Sequence, residues 1–244
     1  MRLNYETCIV GSKCVLVPYR PCHVERYHEW MKHPYLLEMT GSEPLSLQEE
    51  IDMQISWRDD DQKCTFIVLA REKCNFLDSG DLTLEDANFP QRNLEAMVGD
   101  VNLFFSEEED EEEEVEDTIS PPKEKPTQQL QAELDIMIAE EDCRGQGLGK
   151  EASCLMMLYG TKAKTIRRFF CKIKENNQPS LSLFQKKLGF QQCAYAACFQ
   201  EFELERRENS SDETREGIQA MLGDAFQWTT FKCPIKIEES KTVD

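Results

Sequence analysis

Three glycines alternate within six residues, Arg144-Gly145-Gln146-Gly147-Leu148-Gly149, and this feature constrains the fold most. Ahead of it lies Ala132–Ala139 (AELDIMIA), an apolar run with strand character. Behind it, from Gly147 to Thr165, the sequence reads as a helix. A strand therefore enters a short acidic loop, turns through the glycines and leaves as a helix. Glycine lets backbone approach a ligand closely, and the first N–H groups of a helix have no intrahelical acceptor. The helix end adds roughly half a positive charge. Such a junction is an anion cradle that holds a pyrophosphate without a metal.

Two common phosphate loops do not fit. The Walker pattern needs Gly where Arg144 stands and Ser or Thr where Glu151 follows Lys150. The dinucleotide pattern G-x-G-x-x-G, started at Gly145, meets Lys150 at its third glycine. The pattern that does fit is R-x-x-G-x-G at a strand–helix junction. Asn177-Gln178-Pro179-Ser180 and Lys187-Leu188-Gly189-Phe190 follow it in order. On these elements the chain resembles the GNAT superfamily of acetyltransferases. The early stretches Val15–Tyr19, Tyr27–Met31, Ser42–Leu47 and Cys64–Leu69 are similar to its N-acetyltransferase 9 group. The resemblance covers roughly residues 1–205, apart from an acidic insertion.

The resemblance implies an α/β (α+β) fold with a mixed, mostly antiparallel sheet flanked by helices, splayed beside the cradle. It implies acetyl-CoA as co-substrate. The pantetheine arm would pair with Ile136, Met137 and Ile138. The pyrophosphate would sit on amides of Arg144, Gly145, Gln146, Gly147, Leu148, Gly149 and Lys150. Asn177 and Ser180 would contact the arm. It further implies a protein substrate, with tubulin chains as acceptor and a link to microtubules. Related enzymes place a Tyr on the late helix as acid for the departing thiolate. Here Phe184 occupies that place and has no proton to give. Tyr195, solvent or no acid at all remain open, and a thiol of pKa near 8.5 leaves tolerably without help.

The reaction needs an unprotonated amine. A lysine amine is only about one part in 2,500 neutral at pH 7, and an α-amine roughly one part in ten. Glu133 and Asp135 lie two apart on one strand and share a face. Glu133 is the expected general base, through water, with Asp135 as the alternate. A solvated strand face explains the same spacing. An acceptor on lysine side chains or small amines stays open, and so does a catalytically weak acetyl-CoA-binding scaffold.

The rest of the chain bounds this reading. At 244 residues and 40% hydrophobic, it supports one sizeable core. No apolar run reaches membrane-spanning length, and the N-terminus lacks a secretory signal's apolar core. Eleven cysteines without a C-x-x-C pair suit reduced thiols in a cytoplasmic protein. His23, His28 and His33 recur every five residues and so share no helix face, and no metal is expected. Net charge is −19, and Glu107–Asp117 (EEEDEEEEVED) contributes ten of the acids. The remainder is still acidic, which argues against a nucleic-acid binder. With Ser120–Pro126, that run reads as a disordered insertion at about residues 106–129, between two strands of one pair. A solvated loop accounts for it, and steering of a basic substrate is the sharper idea.

Strands are expected at Lys13–Pro18, Thr65–Ala70, Met97–Phe105 (bulged at Gly99), Arg168–Ile173, Phe190–Ala194 and Phe199–Glu205. Helices are expected at Pro21–Met31, stopped by Pro34, at Ser46–Arg58 and at Gln178–Leu188. Glu72–Glu95 reads as loop. Residues Arg206–Asp244 read as a polar tail in which Phe226, Trp228 and Phe231 have no assigned place.

Overall fold

Apolar runs of strand length dominate the chain, and in the computed structural model they zip into one nine-stranded sheet. The structure describes residues 1–76, 85–108, 129–207, 210–223 and 225–235. In chain order the elements are β1 (Thr7–Val10), β2 (Cys14–Pro18), α1 (Val24–Trp30), α2 (Pro34–Thr40), α3 (Leu47–Asp59) and β3 (Lys63–Ala70). Then come α4 (Phe89–Arg92), β4 (Met97–Glu107), β5 (Leu130–Ile138), α5 (Leu148–Ala163) and β6 (Ile166–Lys174). The last are α6 (Gln178–Lys187), β7 (Gln191–Ala196), β8 (Glu201–Arg207), α7 (Ser211–Leu222) and β9 (Thr229–Lys232).

The strand order is β7-β8-β6-β5-β4-β3-β2-β1-β9. Among the described residues only the β5–β6 pair is parallel, because the two strands are joined by the α5 crossover. That pairing ends at Glu133 opposite Phe170, yet β5 runs on to Ile138 along β4. The strands thus part beside the end of β5, and the expected splay is present.

Each face of the sheet packs a separate core. On one face, Leu16, Phe66, Leu103 and Leu134 meet Leu155 and Met156 of α5, with Phe184 of α6 and Ile218 of α7. On the other, Val17, Ile67, Leu69 and Met97 meet Val24, Tyr27 and Trp30 of α1 and Leu36 of α2, with Ile51 and Trp57 of α3 alongside. The expected bulge lies at Val98–Gly99, where Val68 faces Gly99 and Leu69 faces Met97. No side chain is tolerated at Gly99, since a Cβ there would fall 1.9 Å from the Met137 carbonyl oxygen.

Three expectations change. The strand read at Lys13–Pro18 is the second, paired with an unexpected β1. Pro34 does end the first helical stretch, but it also opens α2, because its missing N–H costs nothing at the first helical position. The region read as polar tail is, where described, built into the domain. β9 pairs with β1 through Thr7–Lys232 and Val10–Thr229, and α7 packs on α5. Phe231 meets Phe89 at 5.1 Å, while Phe226 and Trp228 pack against the α5-side core. The buried Arg20 guanidinium fixes this end by donating to the carbonyls of Tyr5 and Cys233. Past Glu108 the acidic run lies outside the described residues. The ladder flanking it closes with the Glu108 N–H donating to the Gln129 carbonyl at 2.8 Å.

Candidate functional site

The turn between β5 and α5 takes its shape from two positive-φ glycines, Gly145 (+73°) and Gly147 (+88°), the latter capping α5. Any other residue pays steric strain at Gly147, and its Cβ would stand 3.0 Å from the Lys13 ammonium. Among the described residues, the six amides from Gly145 to Lys150 have no hydrogen-bond acceptor. Six consecutive N–H groups without an acceptor, at a helix N-terminus, fit a pyrophosphate.

The side chains here brace the cradle. Arg144 donates to the carbonyls of Ile138 (2.8 Å) and Ala139 (2.8 Å), locking the turn to the end of β5. Its own amide donates to Glu141, so it adds nothing to the open amide row. Lys150 reaches away, to the Met221 carbonyl at the end of α7 (2.6 Å). The side chain of Leu148 is buried, and only its amide faces the turn. Glu151 is buried and accepts from Lys13 N (2.6 Å), Cys14 N (3.0 Å) and Ser12 Oγ (2.6 Å). One carboxylate thereby fixes the β1–β2 turn against the cradle helix. Gly11 is required there, because a Cβ would come within 2.3 Å of the Glu151 carboxylate.

The cradle opens into a cleft of about 580 Å³ that runs into the splay. Ile136, Met137 and Ile138 line it, together with Arg144, Gly145, Gln146, Gly147, Gly149 and Lys150. Asn177 and Ser180 line it from α6, where the Asn177 Oδ1 caps the helix by accepting from the Ser180 amide (3.2 Å). The structure thus brings the sequence-predicted cofactor residues to one cleft, except Leu148, whose side chain packs into the core. It adds contributors the sequence did not single out. Lys13 donates to the Gln146 carbonyl (2.7 Å) and brings a cation to the cradle from 133 residues earlier in the chain. Tyr35, Leu36, Met39 and Thr40 of α2 form the facing wall, with Arg144 over the Tyr35 ring at 5.4 Å.

Glu133 and Asp135 point to the other sheet face, that of α1 and α3. Glu133 sits at the last β5–β6 pair, 3.6 Å from the Lys172 ammonium, and burial raises its carboxyl above the usual range against that cation. Asp135 is the first acid beyond the pair, at the splay. Burial, then the charges of Glu133 and Asp100, push it up to about 7. Phe184 is buried against Phe190, 5.0 Å between rings. The Tyr195 hydroxyl is engaged by Glu175 at 2.6 Å and does not line the cleft.

Sequence reasoning missed the neighbours of Asp135. Asn102 stands opposite it on β4, and Thr65 stands opposite Asn102 on β3. Asp100 lies on the same face and accepts from Asn102 Nδ2 at 2.7 Å. The signal was available: Asp100-x-Asn102 alternates inside the apolar run MVGDVNLFF, marking a buried polar face.

Comparison with known proteins agrees with this geometry. Residues 13–191 match the acetyltransferase (GNAT) domain family. The chain is 42% identical to the human alpha/beta-tubulin-N-acetyltransferase 9 over 205 residues, covering 84% of each chain. It is 47% identical to an N-acetyltransferase 9-like protein of Caenorhabditis briggsae, covering 84% of this chain and 88% of that one. Among solved structures, spermidine N-acetyltransferase of Vibrio cholerae, in complex with CoA and spermine, superposes with a TM-score of 0.55 at 13% identity. That match covers 82% of this chain and 98% of the other, and speaks for the fold. The phosphate cradle, the splayed strands and these relatives together place the chain in the GNAT family, as an acetyl-CoA-dependent acyltransferase.

Proposed function

We propose that the chain transfers acetyl from acetyl-CoA to the α-amine of a protein N-terminus, with tubulin chains as the acceptor. The observation that carries the reading is the junction of two features at the splay. A cleft with six unpaired amides at one end reaches Met137, two residues along β5 from Asp135 and on the same face of the strand. The amides of Gly145 to Lys150, with Lys13, would hold the pyrophosphate, and Asn177 and Ser180 the pantetheine arm. When bound, the co-substrate supplies the activated thioester.

Asp135 fits the base role better than Glu133. It lies past the last strand pair, whereas Glu133 is held by Lys172. A base with a midpoint of about 7 also suits an α-amine of pKa about 8 far better than a lysine of about 10.4. One proton moves from the ammonium nitrogen to a carboxylate oxygen, and the freed lone pair becomes the nucleophile. No phenol stands at the late-helix position, so the thiolate takes its proton from solvent. The tubulin acceptor is supported by the mouse and human relatives, which are alpha/beta-tubulin-N-acetyltransferases, and a microtubule link and a cytoplasmic site would follow from that acceptor.

The test offers acetyl-CoA with two tubulin-derived peptides, one with a free N-terminus and no lysine, the other N-blocked with one internal lysine. Acetylation of the first alone supports the reading. Acetylation of the second, or of polyamines alone, replaces it with a lysine or small-amine acceptor. Saturable acetyl-CoA binding without turnover on any amine leaves a cofactor-binding scaffold.

A further inference from the structure

We propose that the α1–α3 face of the sheet carries an anionic chamber, floored by Asp100, Asn102 and Asp135 and walled by Tyr19, Tyr27 and Glu50, that receives the acceptor's primary ammonium. The proposal deepens the N-acetyltransferase reading and rests on it. Asp100 and Glu50 are 3% and 2% exposed, Asn102 is 7% exposed and Tyr19 is 1% exposed. Each keeps a buried oxygen without a partner: Asp100 Oδ1, Asn102 Oδ1, Glu50 Oε2 and the Tyr19 hydroxyl. Leaving one such group unpaired costs stability, and a cluster of four marks a site built for something else to fill.

The four belong together. The charges of Glu50 and Asp100 act on the Tyr19 phenol, and those of Asp100, Glu50 and Asp135 act on Tyr27. The Tyr19 and Tyr27 rings lie 5.3 Å apart. Asp135 sits one strand from Asn102 in direct register. The only cation acting on this group, among the described residues, is Lys172 on β6, which acts on Glu133 and Asp135 at the rim. Nothing neutralises Asp100 or Glu50 within.

Three of these four orphans, Asp100 Oδ1, Asn102 Oδ1 and Glu50 Oε2, can only accept, and two of them belong to carboxylates with no cation beside them, so a partner that donates hydrogen bonds and carries positive charge fits them. A primary ammonium has three donors and no acceptor, and aromatic faces attract it further. A metal ion matches less well, because no three of the described carboxylates, histidines and cysteines converge on one point. An ammonium on a flexible chain can engage Asp100 in the chamber and yield its proton to Asp135 at the splay. Asp100 is thus a binding residue for the acceptor, and its charge selects amines over neutral termini.

The test uses the full chain and two probes, leucine amide and its N-acetylated form, in thermal-shift titrations with and without CoA. The wild-type protein is expected to be stabilised by leucine amide and not by the acetylated probe. Asp100→Asn, which keeps the shape and the Asn102 contact, is expected to weaken leucine amide at least tenfold while melting no lower than wild type. Glu50→Gln is expected to weaken it by a smaller factor. Equal stabilisation by both probes, no stabilisation by either, or undiminished affinity in Asp100→Asn overturns the chamber. Calorimetry of acetyl-CoA on the same samples reads the transferase assignment separately, since loss of that binding strikes the assignment and not the amine site.

Discussion

An unpaired carboxylate inside a protein leaves a thermodynamic trace that needs no turnover to read. Burial pushes Asp100 up to about 6 from an ordinary 3.8, although Asn102 and its own amide pull the other way. A raised folded value means that the fold prefers the protonated acid. Its contribution is therefore most favourable below 3.8, declines as pH rises to about 6, and is flat above. At 1.36 kcal/mol per pH unit, the ionised form costs about 3 kcal/mol. Asp100→Asn cannot ionise and escapes that cost. It should gain about 3 kcal/mol near pH 8, but only about 2 kcal/mol near pH 5.2. The sequence pI of 4.6 sets the lower end of the usable range. For a chain of this size the gain near pH 8 corresponds to roughly 6–12 °C in Tm. Urea unfolding followed by tryptophan fluorescence measures both ends. A variant less stable than wild type near pH 8 would mean that the Asp100 charge is compensated in the fold. A gain equal at both pH values would mean that ionisation is not its source. Either result refutes the reasoning, while the predicted pattern shows a residue kept at the expense of stability.

Four further outcomes follow from the site. Gly147→Trp blocks the cradle and strains a φ of +88°, so acetyl-CoA affinity by calorimetry should fall at least about 100-fold, equivalent to one or two charge-assisted hydrogen bonds. Glu151→Ala strands Lys13 N, Cys14 N and Ser12 Oγ together, and should lower unfolding free energy by about 3–5 kcal/mol; Glu151→Gln should lose less, and an unshifted urea midpoint for the alanine variant contradicts the bracing role. Ending the chain after Arg207 removes β9 and α7 and uncovers the β1 edge, so the shortened protein should aggregate or melt far lower rather than behave as a trimmed domain. For the base, kcat/KM in the wild type should rise with pH through about 7 as Asp135 loses its proton, and Asp135→Asn should abolish that limb and most of the turnover, whereas Glu133→Gln keeps it; the reverse outcome returns the role to Glu133.

What the sequence revealed, and what it hid, follows from how far apart the cooperating residues lie. The cradle was legible because its demands are local: positive φ at Gly145 and Gly147, and a strand and helix on either side. Ile136 to Ile138 were legible for the same reason, being carried by the strand that leads into it. Lys13 was not, because its approach to Gln146 depends on Glu151 holding a hairpin that no local pattern connects to α5. β9 was not, because four residues gain strand character only from pairing with β1, more than two hundred positions away. Pro34 was read for what it ends and not for what it begins, and α2, which it opens, forms a wall of the cleft. Asp100 and Asn102 fall between these cases. Their alternation is local, but their meaning depends on Asp135, Glu50 and Tyr19 arriving from three other elements. In a chain with 47 acidic residues, a single Asp draws no attention by type. Depth is what separates it from most of the described acids: Asp100 is 3% exposed and keeps one carboxylate oxygen without a partner.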